Sequence, residues 1–457
     1  MSSFLYGLSV QGVQEFIFKT NKLKEIIGAS QIIKNIENID LKKEFDLSKQ
    51  PQIIIQAAGN IRAIVDDEED VKKIVKYLPK FIIQQAYGIN IAQALVVYTG
   101  DYSGASRELE HLLKIERNKK TIPLDFHFSV LKQNPKTSLP AVDYDEDEII
   151  DQSSRQKRQC FDECIRIDKK EKLQLSYLAN SKRKLALFYA DGNSLGKIVA
   201  MIKNADEFAN FSKKLDTATK QAYKESKEKI SNDKIRDIIL GGDDLVMVCD
   251  ADIALDFSIN FLERFEINTK DIYANSSLSA CGALVYFNEK YPIHYVIKLA
   301  KLLCSYAKKY SKNISQENPP SSLMFHNIKS CNIESYEKII QNELIINDVY
   351  CNFGPYYLNE KHNPNIKKFK EIIDWLKTSD FAYAKLREWL SILQKDKNLA
   401  QEFLNRFDFI NEDEQVSSKL QSLHAELSLN QLTIQKDNKI ITPVYDILQI
   451  LSVQARG

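Results

Sequence analysis

The acidic doublet Asp243-Asp244 is where a reaction is most readily built in this chain. It lies inside residues 235–250, I-R-D-I-I-L-G-G-D-D-L-V-M-V-C-D. Apolar runs flank it, Ile238 to Leu240 before and Leu245 to Cys249 after, so Gly241-Gly242-Asp243-Asp244 reads as the turn of a β-hairpin. Two carboxylates side by side at such a tip repel each other and are costly to hold against apolar strands. A divalent cation removes the repulsion, and Mg²⁺ takes a few carboxylates together with substrate phosphates. The paired glycines leave room for a phosphate to approach the backbone where a Cβ would obstruct it. The plain alternative is an acidic hairpin tip turned to water.

A third carboxylate, Asp191, ends the apolar run Leu185 to Ala190. Gly192-Asn193-Ser194 then open a helix, with Asn193 or Ser194 in the N-cap position. That helix would aim free N–H groups at phosphate oxygens. In a ferredoxin-like lobe the first strand and the central hairpin are neighbours, so Asp191, Asp243 and Asp244 are expected to converge at one sheet end. Such a triad suits two Mg²⁺ (or Mn²⁺) ions, one activating a 3′-hydroxyl and the other holding a triphosphate. The expected nucleotide contacts are Gly192, Asn193, Ser194, Gly241 and Gly242, with Lys301 and Lys308 two turns apart on a helix opened by Pro292. A helix lysine is as often only a solvated charge. Three acids on such a sheet condense nucleoside triphosphates without specifying the base. Polymerases, diguanylate cyclases and adenylate cyclases share the arrangement.

The elements that must position these residues occur twice. Residues 3–10 read as a strand, about 11–39 as a long amphipathic helix, 52–56 and 61–65 as strands, 68–86 as a helix and 91–98 as a strand. The order is βαββαβ, the ferredoxin-like pattern. From Lys184 it repeats with one inserted helix: a strand at 185–190, helices after Ser194 and over 205–229, the hairpin, a helix at 252–268, a strand at 277–287 and a helix at 292–309. Ile54 to Asp66 lies against Ile238 to Asp250 without a gap. Gly59 and Asn60 fall where the second copy has Asp243 and Asp244, and Val10 falls near Asp191. The reading is a duplicated lobe whose second copy alone keeps its carboxylates. Chance likeness of two apolar hairpins is the competing one.

The expected fold class is therefore α+β, with ferredoxin-like lobes in residues 1–120 and 184–330 and a helical bundle in 331–457. Residues 121–183 read as a connector with little structure of its own, acidic from Asp143 to Asp151 and basic from Ser154 to Arg183. Cys160 and Cys164 stand there as C-x₃-C, but no second close Cys or His pair completes a four-ligand site, so zinc is not expected. Residues 321–329 read as one more strand. Helical periodicity recurs at 366–377, 381–393, 398–409, 415–427 and 439–453, and Trp375 and Trp389 fit packing roles there. The bundle would serve support or docking.

Lys plus Arg number 63 against 62 Asp plus Glu, a formal charge of +1, so nucleic-acid contacts must rest on local patches rather than overall charge. Seven scattered cysteines favour a reducing cytoplasm. The start, M-S-S-F-L-Y-G-L, lacks the basic and apolar regions of a signal peptide, and no stretch is long and apolar enough to span a bilayer.

Val10-Gln11-Gly12-Val13-Gln14-Glu15-Phe16-Ile17, followed by Gly28-Ala29-Ser30, resembles the start of the first Palm lobe in the large polymerase-like subunit of type III CRISPR effector complexes. Tyr189-Ala190-Asp191-Gly192-Asn193-Ser194-Leu195-Gly196, with Gly241-Gly242-Asp243-Asp244, resembles that family's active second Palm, which is GGDEF-cyclase-like. The resemblance covers roughly residues 1–330. It implies synthesis of cyclic oligoadenylates from ATP on binding of target RNA, alongside guide RNA and other effector subunits. Asp191, Asp243 and Asp244 would hold the metals, and Gly241 and Gly242 would lie against phosphates. Many members begin with a nuclease domain bearing a His-Asp pair. No His-Asp dipeptide occurs here, so no DNase activity is expected and the chain reads as a compact form. The inter-Palm cysteine cluster is reduced to Cys160 and Cys164. The competing readings are a scaffold subunit that binds RNA and protein with a silent nucleotide site, and a stand-alone cyclase using GTP or ATP.

Overall fold

A computed structural model of the chain describes residues 3–57, 59–119, 130–145, 147–164, 174–273, 277–329, 335–378, 380–406, 413–428 and 431–455. The elements run β1 (Ser3–Gln11), α1 (Val13–Phe18), α2 (Leu23–Glu37), α3 (Leu41–Phe45), β2 (Gln52–Ala57), β3 (Asn60–Val65), α4 (Glu68–Gln85), β4 (Asn90–Tyr98), α5 (Tyr102–Asn118), β5 (Ala141–Asp145), β6 (Glu148–Asp151), α6 (Gln152–Cys164), α7 (Leu175–Leu178), β7 (Lys184–Gly192), α8 (Leu195–Met201), α9 (Ala205–Ile230), β8 (Ile235–Gly241), β9 (Asp244–Asp250), α10 (Ala254–Asn268), β10 (Ala280–Asn288) and α11 (Ile293–Ile314). They continue with β11 (Ser322–Asn327), α12 (Tyr336–Glu343), β12 (Ile345–Ile346), β13 (Val349–Tyr350), β14 (Tyr356–Tyr357), α13 (Ile366–Thr378), α14 (Asp380–Leu393), α15 (Lys397–Asn405), α16 (Asp413–Leu423), β15 (Ile434–Lys436), β16 (Lys439–Ile441) and α17 (Val444–Val453). Two compact units result, residues 1–174 with 195–216 and residues 175–194 with 217–457. Among the described residues no helix is long and apolar enough to cross a membrane.

The first unit holds an antiparallel sheet in the order β2-β3-β1-β4. The second holds β14-β11-β10-β7-β9-β8, in which β8-β9-β7-β10 repeats that order. The correspondence reaches single residues. Both hairpins carry a register shift at the same aligned position, between Ile53 and Ile55 in one and between Asp237 and Ile239 in the other. The extra residues, Ile54 and Ile238, are both buried. Leu8 faces Ile61 and Ala190 faces Leu245, so the residue at the place of Asp191 is Ser9 rather than Val10. An unbroken apolar run makes β7 a central strand: Leu185 to Phe188 are fully buried, and Phe188 meets Phe257 and Phe261 of α10 edge-on.

Three sequence expectations need correcting. The long helix over 11–39 is two helices, broken where Thr20 Oγ1 donates to Glu25 Oε2 at 2.6 Å and accepts the Lys22 N–H. The connector is not structureless. It carries the β5–β6 hairpin and α6, and α6 packs on α2. Its buried side is charged: Arg158 Nε donates to Glu25 Oε1 at 2.8 Å, Arg158 also reaches Asp145 and Glu148, and Lys157 Nζ donates to the Phe16 carbonyl at 2.7 Å. Cys160 is a half-buried cysteine whose Sγ accepts a weak bond from Asn35 Nδ2; the side chain of Cys164 lies outside the described residues. The last 127 residues are not purely helical. A small sheet, β12-β13-β16-β15, joins segments about ninety residues apart, and Trp389 is buried while Trp375 is half-buried.

Asp446 on α17 is buried among tyrosines. Burial pushes its carboxyl up to about 7, against hydrogen bonds from Tyr356 Oη (2.8 Å), the Phe353 N–H and Gln449 Nε2. A raised folded-state pKa means the folded chain binds the extra proton, so this stabilisation is present at low pH and lost as pH rises through about 7. Asp446→Asn is expected to flatten the fall in melting temperature between pH 5 and 8 by the equivalent of roughly 2–4 kcal/mol. The slope is the readout, because an amide would face one of the donors. An unchanged slope would contradict the assignment.

Candidate active site

Neighbouring strands deliver the three acids. β7 pairs with β9 up to Ala190–Leu245, so Asp191 and Asp244 come next along the same pair of strands. Gly241 and Asp244 pair across the hairpin, leaving Gly242-Asp243 as a two-residue loop. Gly242 has φ 62°, the left-handed backbone that a type II′ hairpin turn needs at its first loop position. A Cβ there would meet nothing within 4 Å. That glycine therefore serves the turn, and the tip is open on that side. Behind it the fully buried Thr219 of α9 donates from Oγ1 to the Gly242 carbonyl at 2.7 Å.

Oxygen atoms of Asp191, Asp243 and Asp244 all lie within 4.8 Å of one another, the one such group of potential metal ligands among the described residues. Their electrostatics match that crowding. Burial, then the neighbouring charge of Asp191, pushes the Asp243 carboxyl well above the carboxylate range. Burial, then Asp243 and Asp191, pushes Asp244 up further. Lys308 is the protein's own counterion: its Nζ stands 2.6 Å from Asp191 Oδ1 and donates to the Gly192 carbonyl at 2.7 Å. Burial acts to lower its pKa, but the charge and the hydrogen bond of Asp191, with smaller contributions from Cys304 and Cys281, together raise it. Lys301, two turns earlier on α11, is exposed, and Asp244 feels its charge less than that of Lys308.

The residues after Asp191 behave differently from expectation. Neither Asn193 nor Ser194 caps α8. Asn193 Nδ2 donates to Ser279 Oγ at 2.9 Å, its N–H donates to the Ser279 carbonyl at 2.8 Å, and Ser279 Oγ donates on to the Pro319 carbonyl. Asn193 thus pins the end of β7 to the approach of β10. Asn193 Oδ1 and Ser194 Oγ are buried without a hydrogen-bond partner, and Ser194 holds a left-handed φ of 57°. α8 is only seven residues long and groups with the first unit. Thr219 and Ser279 gave no signal in the sequence, since one is the second of two threonines in a 26-residue helix and the other precedes an apolar strand.

Three hard carboxylate donors, with Asp243 and Asp244 pushed above the carboxylate range, fit a hard divalent cation of the Mg²⁺ or Mn²⁺ kind. A cation there would relieve repulsion that one lysine offsets only in part.

Residues 184–315 match the family described as Cas10/Cmr2, second palm domain. In fold the chain is similar to solved Csm1–Csm4 cassettes. One in complex with cA4 is 14% identical with a TM-score of 0.54, over 99% of this chain and 69% of that one. One in complex with AMPPNP is 15% identical with a TM-score of 0.54, over 98% and 70%. A Csm1–Csm4 subcomplex of the type III-A CRISPR-Csm interference complex gives 14% and 0.54 over 99% and 69%. At these identities the likeness is one of fold. A comparison with curated proteins finds no match.

Proposed function

We propose that this chain, a Cas10-like subunit whose residues 184–315 match the Cas10/Cmr2 second palm domain, is a nucleotidyltransferase that condenses ATP into cyclic oligoadenylates in type III CRISPR defence. The observation that carries the reading is the convergence of Asp191, Asp243 and Asp244 at one end of the palm sheet. Csm1–Csm4 cassettes of the same fold have been solved with ATP, pppApA, cA3 and cA4, a series from substrate to ring. By that likeness the chain would work with a Csm4-type subunit, with guide and target RNA as the trigger.

When bound, Mg²⁺ would polarise the reacting phosphate, activate the attacking 3′-hydroxyl and offset the charge of departing pyrophosphate. The residues do the rest. The open face of Gly242 leaves the hairpin backbone accessible to phosphate oxygens. Lys308, on a flexible stem beside Asp191, is placed to turn from that carboxylate to a triphosphate oxygen, with Lys301 supplying further positive charge from the same helix face. Asn193 and Ser279 hold the end of β7 in line, and the unpartnered oxygens of Asn193 and Ser194 are available to a nucleotide.

The purified protein should be incubated with ATP and Mg²⁺, with and without guide and target RNA, and assayed for oligoadenylate and pyrophosphate. Nucleotide binding without product under every condition would favour the scaffold reading. Running GTP in parallel decides the base. Thr219 is a positioning residue in this scheme. Thr219→Val is expected to lower turnover about 10-fold with little change in the KM for ATP, because losing the bond to Gly242 lets the acidic tip drift. Thr219→Ser should restore turnover. A Thr219→Val protein with full turnover would remove Thr219 from the account.

A further inference from the structure

The second unit contains a cavity of about 450 Å³ that takes no part in the scheme above. It opens between α14 and α17, beside the turn before β7 and the segment after β11. Lys182, Lys329 and Arg387 line it, and among the described residues no acidic one does. Tyr445 and Leu448 supply an apolar wall, faced by Tyr383. Lys329 Nζ lies 4.7 Å over the Tyr445 ring. Lys182 Nζ caps the end of α17 through the Ser452 and Gln454 carbonyls.

Positive charge is in excess here. Among the described residues Lys329 and Arg387 form no ion pair, and Glu343 acts on Lys329 only at longer range. The charge of Lys329 adds to burial in holding Lys184 below the usual ammonium range and in pushing the buried His326 down to about 4. Natural surfaces usually interleave charges, and a cavity that gathers cations without acids is configured for an anion. Its volume lies in the range of small-molecule sites, and tyrosine rings beside guanidinium and ammonium groups suit a base and its phosphates.

We infer that this cavity is a second nucleotide site, taking a nucleoside 5′-phosphate with its phosphates on Lys329 and Arg387 and its base against Tyr445. It is separate from the acidic triad. Lys184 begins β7 and Asp191 is its last residue but one, so the two sites stand at opposite ends of one sheet, roughly 20 Å apart. The inference does not depend on catalysis, because it uses none of the catalytic residues.

The test is equilibrium binding of ATP, AMP and adenosine to the full chain in EDTA. Variants are Lys329→Glu with Arg387→Glu, the milder Lys329→Met with Arg387→Gln, and Asp243→Ala with Asp244→Ala. Both cations are exposed, and circular dichroism checks that each variant is folded. The expected result is saturable binding of ATP and AMP, adenosine at least ~10-fold weaker, and a loss of at least ~10-fold in the milder pair, consistent with charge-assisted phosphate contacts. Binding should survive Asp243→Ala with Asp244→Ala. Absence of binding in EDTA, or binding indifferent to Lys329 and Arg387, overturns the inference. So does displacement only by an RNA strand and never by mononucleotide.

Discussion

Replacing Asp243 and Asp244 together by Asn is expected to lower oligoadenylate synthesis by at least ~10³-fold and, at the same time, to raise the melting temperature of the metal-free protein at pH 8. Both effects come from one cause. Burial, mutual repulsion and Asp191 hold the two carboxyls above the carboxylate range. In the unfolded chain they titrate near ~4. The folded state therefore binds more protons, and stability present in acid is lost as pH rises through the raised values. At pH 8 the wild type carries most of that penalty, whereas asparagine carries none. The gain should be on the order of 2 kcal/mol, or roughly 5 °C in the transition of this unit. The same amides cannot bind a divalent cation as carboxylates do, so added Mg²⁺ should stabilise the wild type and leave the variant unmoved. Calorimetry at pH 5 and pH 8, with and without Mg²⁺, reads all of this. A variant less stable than wild type at pH 8, or one still making product, would remove the triad from the reaction.

Gly28→Ala is expected to disrupt the first unit, costing about 3 kcal/mol or more. Where α2 crosses α6, a Cβ at position 28 would lie 1.9 Å from the Lys157 carbonyl oxygen and 2.8 Å from its carbon. These are backbone atoms and cannot rotate away. Helix α6 cannot retreat either, because Arg158 is tied to Glu25 on α2 and Lys157 to the Phe16 carbonyl. Gly196→Ala is the control. Its Cβ would meet nothing within 4 Å, so the same substitution in α8 should be neutral or stabilising by up to about 1 kcal/mol. Urea unfolding of both variants decides the matter, and equal midpoints would refute the close crossing.

The strands of both lobes were legible because each is an apolar run bounded by turn residues, and the acids because they interrupt such runs at their ends. Asp191 after Leu185 to Ala190 is the plainest case. Helix α6 was hidden for the opposite reason. Its buried face includes Lys157 and Arg158, 3% and 4% exposed, and buried cations look like surface until their partners on α2 and the β5–β6 hairpin are known. The small C-terminal sheet left no trace because strands of two or three residues have no measurable period. Lys301 and Lys308 look alike in the sequence. Only the fold distinguishes Lys308, bonded to Asp191, from the more exposed Lys301. The cavity lined by Lys182, Lys329 and Arg387 draws on segments two hundred residues apart and matches no motif.

One extra residue at the same place in each hairpin, Ile54 and Ile238, has a consequence for how these lobes were able to diverge. An inserted residue bends its strand and locks the ladder against slipping, so the direction in which the tip points is written into the main chain. The acids ride on that mount without creating it. The lobe that carries Gly59 and Asn60 in their place retains an empty mould of the same shape, free to be worn by a different task.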